Sequence, residues 1–306
     1  MAELSSIGRV TVFGGSGFLG SEIVKRLTVA GFDVRVAVRQ TDIAKLPQHS
    51  GKTGKTSRVY ADVRDETSVA LAMEECNTVV NAVGLYVEAG MESFEAVHEL
   101  GALNVAHQCA VLGIDRLIHI SGIGADMYSK SDYVRARGKG ELFVRDAFPS
   151  ATIFRPSVLF GPEDKFVNTL ARILRLSPLF PLFGRGHTKL QPVYVGDIAE
   201  ATLNALKDPN SSGKTFELGG PHVYSYRALI ELVMGHTQRR RFLLPLPFQL
   251  WDFLAAAASI LPSPPLTRAQ VTLMKDDNVV AEAALSLRDL AINPTALEDI
   301  LPKYEF

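Results

Sequence analysis

The 306-residue chain is 47% hydrophobic and 21% charged, with a formal net charge of −1. That composition excludes a disordered chain and gives no general attraction to nucleic acid or to acidic membranes. The two cysteines, Cys76 and Cys109, show no CxxC spacing and read as reduced packing residues of a reducing compartment.

A β-branched and aromatic run at 10–13 ends in glycines at three-residue spacing, Gly14, Gly17 and Gly20. Residues 21–30 follow, with Ile23, Val24, Leu27 and Ala30 recurring at helical spacing. Strand, glycine turn and helix in that order predict a dinucleotide site. Gly14 permits the turn, Gly17 lets the backbone approach a pyrophosphate, and Gly20 lets helix and strand pack closely. Ser16 and Phe18 lie on the same turn, and the first-turn N–H groups face the anion.

Residues 33–39 alternate as a second strand. An NAD site usually carries a carboxylate near this strand's end to hold the ribose 2′-hydroxyl. Here Val38 and Arg39 stand there, and a cation suits a 2′-phosphate, so NADP(H) is favoured over NAD(H); the alternative is a surface arginine. Gly-Lys-Thr occurs twice within 49–58, but Leu46 and His49 occupy the positions where a P-loop needs its first glycine, so this reads as a solvated loop. A third strand at 58–61 leads to Asp62, a candidate for the adenine amino group or a plain turn residue.

A fourth strand at 78–81 ends in Asn81, Ala82 and Val83, small enough residues for a cofactor to cross the strand end. A long helix is expected over 92–112, then a strand at 116–120 that delivers Ser121. Another helix opens near Tyr133, capped by Ser131 or Asp132, and places Tyr133 and Arg137 on one face. A sixth strand at 151–155 meets Pro156. The alternation predicts an α/β fold, a Rossmann-type doubly wound parallel sheet with ligand at its carboxyl edge. Beyond Ser157 the elements shorten and prolines multiply. The organisation expected is therefore a nucleotide-binding domain over 1–156 and a smaller C-terminal lobe over 157–306, with 191–197 leading a helix back to the main sheet.

These features resemble the extended or atypical short-chain dehydrogenase/reductase family. Gly14-x-x-Gly17-x-x-Gly20, Ser121, Tyr133, Arg155-Pro156, Phe160-Gly161-Pro162 and Tyr194-Val195-Gly196-Asp197 stand where that family places them. Within it, residues 133–149 and 160–168 are similar to the NADPH-binding alpha-subcomplex accessory subunits of respiratory complex I and their bacterial relatives. The resemblance implies an acid/base role for Tyr133, an orienting role for Ser121 and a ribose-holding cation at Arg137, with Pro156 also beside the cofactor. Catalytic members carry lysine at the position of Arg137. Arginine keeps the charge, but its planar fork is larger and differently hydrated. The subgroup implies complex I subunits as partners and a nucleotide held mainly for structure. The alternative is a free NADP(H)-dependent reductase, epimerase or dehydratase acting on a hydrophobic or quinone-like substrate.

The seven histidines show no HExxH spacing, so no metal is expected. No apolar run reaches the ~20 residues that span a bilayer. A basic Arg239-Arg240-Arg241 precedes an apolar segment at 242–261, expected to hold a helix over 248–260. That pattern suits a peripheral membrane contact, or equally a substrate lid or lobe core. With a first strand from about Arg9 there is little room for a leader. The expected location is the bacterial cytoplasm or the cytoplasmic face of the inner membrane, or the matrix side in a processed mitochondrial protein.

Overall fold

A computed structural model describes residues 8–40, 54–260 and 266–306 of the chain. The main sheet is built from β1 (Arg9–Phe13), β2 (Val34–Val38), β3 (Thr56–Tyr60), β4 (Cys76–Asn81), β5 (Arg116–Ile120) and β6 (Thr152–Pro156), with a seventh strand at Thr215–Leu218. From edge to edge the order is Thr215–Leu218, β6, β5, β4, β1, β2, β3. The pairs joining β1 to β6 are parallel, with Phe13 in register with both Ala37 of β2 and Asn81 of β4. Strand order reverses between β1 and β4, the crevice where doubly wound sheets take ligand. The inner strands are rich in Val and Ile because they are covered on both faces, and Val10, Val12, Val79, Val80 and Ile118 are fully buried.

Five helices connect these strands or flank them. They are α1 (Phe18–Val29), α2 (Glu66–Ala72), α3 (Gly101–Val111), α4 (Asp132–Ala147) and, further on, Val195–Lys207. Helices α2, α3 and α4 pack as one layer, while α1 lies along Val195–Lys207, joined to it by the Arg26–Glu200 ion pair. The returning helix therefore meets α1 rather than resting on the strands alone. Arg35 of β2, four residues before the cofactor candidate Arg39 that follows the strand, donates to the Ala72 and Glu74 carbonyls at 3.0 and 2.8 Å. It closes the C-terminal end of α2.

Two expectations shift. β3 starts at Thr56, so part of the expected polar loop is strand; at the sheet edge it has one neighbour and exposes Ser57 and Arg58, which is why it reads as polar. Leu46 and His49 lie outside the described residues. The long helix is also not uniform: Glu95–Leu100 forms a π-helical segment before α3. Close packing accompanies that widening, since a Cβ on Gly140 of α4 would lie 1.9 Å from the His98 carbonyl oxygen.

The chain forms two compact units. One comprises Met1–Pro156, Val195–Glu217 and Ala284–Ile292; the other comprises Ser157–Tyr194, Leu218–Ala283 and Asn293–Phe306. In the second unit, helices Phe166–Leu176 and Tyr226–His236 share a core with Phe160, Phe180 and Leu182. Strand Phe242–Leu246 pairs in parallel with Leu179–Phe183. Helix Phe248–Ala258 then docks through Trp251, whose indole donates to the Leu182 carbonyl at 2.9 Å. Leu261 lies outside the described residues. Among those described, no helix is long and apolar enough to cross a membrane.

The glycine turn sets the spacing of β1 and α1. Gly14 sits at φ +74°, and a Cβ on Gly20 would fall 2.1 Å from the Gly14 carbonyl oxygen. Backbone cannot yield there as a side-chain tip can. Gly20→Ala is expected to destabilise the protein by at least about 1–3 kcal/mol in urea unfolding. Gly17→Ala, whose Cβ meets only the Gly14 oxygen at 3.3 Å, is expected to unfold within about 1 kcal/mol of wild type.

Candidate functional site

The site is assembled at the carboxyl ends of β1, β2, β4 and β5. At its centre, α1 begins after Gly17 with no side-chain cap and no acidic residue in its first turn. Its leading N–H groups are therefore free to meet an anion. Ser16 is exposed on the turn and Phe18 half-buried. The Gly14 backbone lies against Ala82, where any Cβ would approach the carbonyl oxygen to 2.7 Å. Asn81 is buried and spent on the fold: its Oδ1 accepts from the Val83 N–H at 3.2 Å, and its amide nitrogen meets His119 Nδ1 at 3.3 Å. Asn81 shapes the strand end instead of offering a free polar group.

Beyond the turn lies a cleft of about 500 Å³, with Ser16, Val38, Arg39, Asp62, Arg64 and Glu92 in its lining. The cations in it are partnered. Arg39 is ion-paired with Glu92, and Arg64 donates through Nε to both Asp62 oxygens at 2.9 and 3.1 Å. The Arg64 guanidinium holds the Asp62 carboxyl below its ordinary range. Neither Arg39 nor Asp62 is thus the open group that the sequence suggests.

On the other side, Tyr133 and Arg137 rise from the first turns of α4. Tyr133 is 7% exposed, enclosed by the rings of Tyr86, Phe94 and His98 at centroid distances of 5.7, 5.4 and 5.6 Å. The Arg137 guanidinium carbon lies 4.9 Å from the Tyr133 ring centroid and 6.0 Å from that of Tyr86. The guanidinium also acts on the Tyr133 phenol by charge and hydrogen bonding, through a planar fork rather than a point-like ammonium. Arg137 is itself buried and reaches towards Gly122, where an added Cβ would lie 3.0 Å from Nη1. Burial pushes the Tyr133 phenol above its ordinary range, opposed by the Arg137 charge. A protonated phenol there can donate a hydrogen bond to a group bound beside it.

Expected caps and unexpected partners complete the site. Ser131 occupies the N-cap position of α4 but makes no capping bond, and Asp132 pairs with Arg135 instead. Below the site, Glu141 takes a bidentate contact from Arg155 at 2.9 and 2.7 Å. Sequence reasoning missed Arg64, Tyr86, Glu92, Phe94 and His98. Arg64 had a weak local signal, two residues after Asp62; the others meet the site only through tertiary packing.

A family model for the NAD dependent epimerase/dehydratase family matches residues 10–219. The chain belongs to that family. It is 35% identical over 306 aligned residues to an Arabidopsis thaliana protein, NADH dehydrogenase [ubiquinone] 1 alpha subcomplex subunit 9, mitochondrial, covering 94% of this chain and 75% of that protein. It is 31% identical to the NADH-ubiquinone oxidoreductase 40 kDa subunit of Neurospora crassa, covering 98% of this chain and 80% of the relative. The fold is also that of a Thermus thermophilus UDP-glucose 4-epimerase solved with NAD, at a TM-score of 0.66, 20% identity and 96% coverage of both chains.

The residues present fit the nicotinamide dinucleotide of this family. Ser121 Oγ and Arg137 Nε are buried without a hydrogen-bond partner, both at the carboxyl edge. Unmet polar atoms of this kind call for a partner, and ribose hydroxyls or a carboxamide supply the matching chemistry. Among the described residues, no group of three or more His, Cys, Asp or Glu is placed to hold a metal ion.

Two buried histidines give the site a pH signature. Burial, then the Arg137 charge, brings His98 down to about 3, and burial brings His119 down to about 4. Both pKa values are depressed on folding, so the unfolded chain takes up protons first. Stability from this source is complete above about pH 6.5 and is lost as pH falls towards 4, by about 1.4 kcal/mol per pH unit for each histidine at most. Urea unfolding at pH 7 and 5 should show wild type losing stability and His98→Gln losing clearly less. Equal losses would contradict a neutral buried His98.

Proposed function

We propose that this chain is an NAD(P)H-binding accessory or assembly subunit of respiratory complex I that holds NADPH mainly as a structural element. The observation that carries the reading is Arg137, buried against the face of Tyr133 in a family whose catalytic members are expected to have lysine there. Gly14, Gly17 and Gly20 with the uncapped start of α1 would receive the pyrophosphate, and Ser16 and Phe18 would flank it. Ala82, Val83 and Pro156 would border the nicotinamide half; Ser121, Tyr133 and Arg137 would meet its ribose and ring. When bound, the cofactor supplies a hydride donor or acceptor. Tyr133, kept protonated and covered, would pack and orient rather than exchange protons.

NADPH is preferred in this reading because Arg39 and Arg64 both line the cleft beyond β2, while no carboxylate directly follows that strand. The names of the complex I relatives support the choice of partner. The second unit supports a peripheral contact at the bilayer surface: Phe242, Phe253 and Ile260 are 65%, 68% and 86% exposed, with Arg240 also exposed beside that segment. Such a contact would lie on the cytoplasmic face in a bacterium or the matrix side in a mitochondrion.

Purification without added cofactor, followed by nucleotide analysis, tests the binding role. The expected result is near-stoichiometric NADPH that survives gel filtration and whose 340 nm absorbance persists when quinones or ketones are added. A protein that releases nucleotide readily and turns it over would favour a free reductase. Arg137→Met is expected to weaken nucleotide retention about ten- to a hundredfold, the loss of a charge-assisted hydrogen bond. Unchanged retention would remove Arg137 from the site.

A further inference from the structure

The Gly84–Ser93 connection contacts the Tyr133 cage near its start and the Arg39–Arg64 cleft near its end. Near its start, the Leu85 carbonyl meets His98 Nε2 at 2.9 Å, and Tyr86 stacks over Tyr133. Near its end, Ala89 and Glu92 exchange backbone hydrogen bonds of 3.0 Å around Gly90 and Met91. That turn is held from outside by two cations. Arg39 pairs with the Glu92 carboxylate, and Arg64 Nη1 donates to the Met91 carbonyl at 3.3 Å. Arg39, Arg64 and Glu92 all line the same 500 Å³ cleft.

We propose that the Glu92–Arg39 pair is a latch that a 2′-phosphate opens, making Glu92 a specificity-determining residue and the 84–93 connection a strap that responds to NADPH but not to NADH. The inference rests on the dinucleotide reading above and deepens it. A 2′-hydroxyl is neutral and leaves the pair undisturbed. A 2′-phosphate carries nearly two negative charges and binds arginine through charge-assisted, often bidentate hydrogen bonds. The competing pair is exposed, with side-chain accessibilities of 52% for Arg39 and 32% for Glu92, so it is screened and contributes little. The phosphate takes the guanidinium, and Glu92 is left beside an anion that repels it. Released at Glu92, the turn loses its tie to Arg39 just beyond β2, and Tyr86, six residues before it, gains freedom above Tyr133.

The latch predicts separate effects on affinity and on the strap. Titration of the full-length protein with NADPH and NADH is combined with hydrogen exchange of the amides across 85–93. In wild type, NADPH should speed exchange at 89–93, whereas NADH should not. Glu92→Gln, which removes charge but not size, should exchange about two- to fivefold faster than wild type at 89–93 without ligand. It should bind NADPH roughly two- to fivefold more tightly, with NADH unchanged. Arg39→Gln should also free the turn while weakening NADPH alone. NADPH binding with slowed or unchanged exchange at 89–93, or Glu92→Gln affinities equal to wild type, would overturn the latch and leave the dinucleotide reading standing. Failure of wild type to bind either dinucleotide would overturn both.

Discussion

A guanidinium removed from water must be compensated from several directions, and Arg137 finds compensation in two aromatic faces and in nearby Glu141, while one of its nitrogens stays unpartnered. The glycines around it leave room for the planar fork at the ends of β4 and β5. Its presence shapes each neighbour. The charge lowers the proton affinity of His98 and His119, and it opposes the burial that raises Tyr133. What emerges is an aromatic, cationic wall at the carboxyl edge of the sheet.

The opposite end of the cleft follows a different rule. There the cations are near the surface, and each already has an acidic partner: Glu92 for Arg39 and Asp62 for Arg64. The groove is therefore close to neutral without ligand, and recognition of an anion there is an exchange of partners. Because one of those partners lies on the connection that also carries Tyr86, the two ends of the site share one stretch of backbone.

Much of the fold was legible because its signals are local. The glycine spacing at Gly14, Gly17 and Gly20 fixed a strand–turn–helix, and the Val-rich runs of β1, β2 and β4 marked buried parallel strands. Less was legible wherever tertiary partners decide the outcome. The third strand reads as starting two residues late because the start of an edge strand keeps polar residues, and the π-helical segment at Glu95–Leu100 has no periodic signature that separates it from α-helix. At the site, Tyr133 and Arg137 could be paired from their four-residue spacing. The cage of Tyr86, Phe94 and His98, and the arginine–carboxylate pairs, join residues separated by connections whose path only the fold determines.

The central claim, that this protein holds its nucleotide as part of a larger respiratory assembly, is most directly tested by native electrophoresis of mildly solubilised respiratory membranes from its own organism. The account predicts that the protein migrates with the NADH:quinone oxidoreductase and that nucleotide extracted from the band includes NADPH. Migration solely at the size of the free chain, with the oxidoreductase intact elsewhere on the gel, would contradict it.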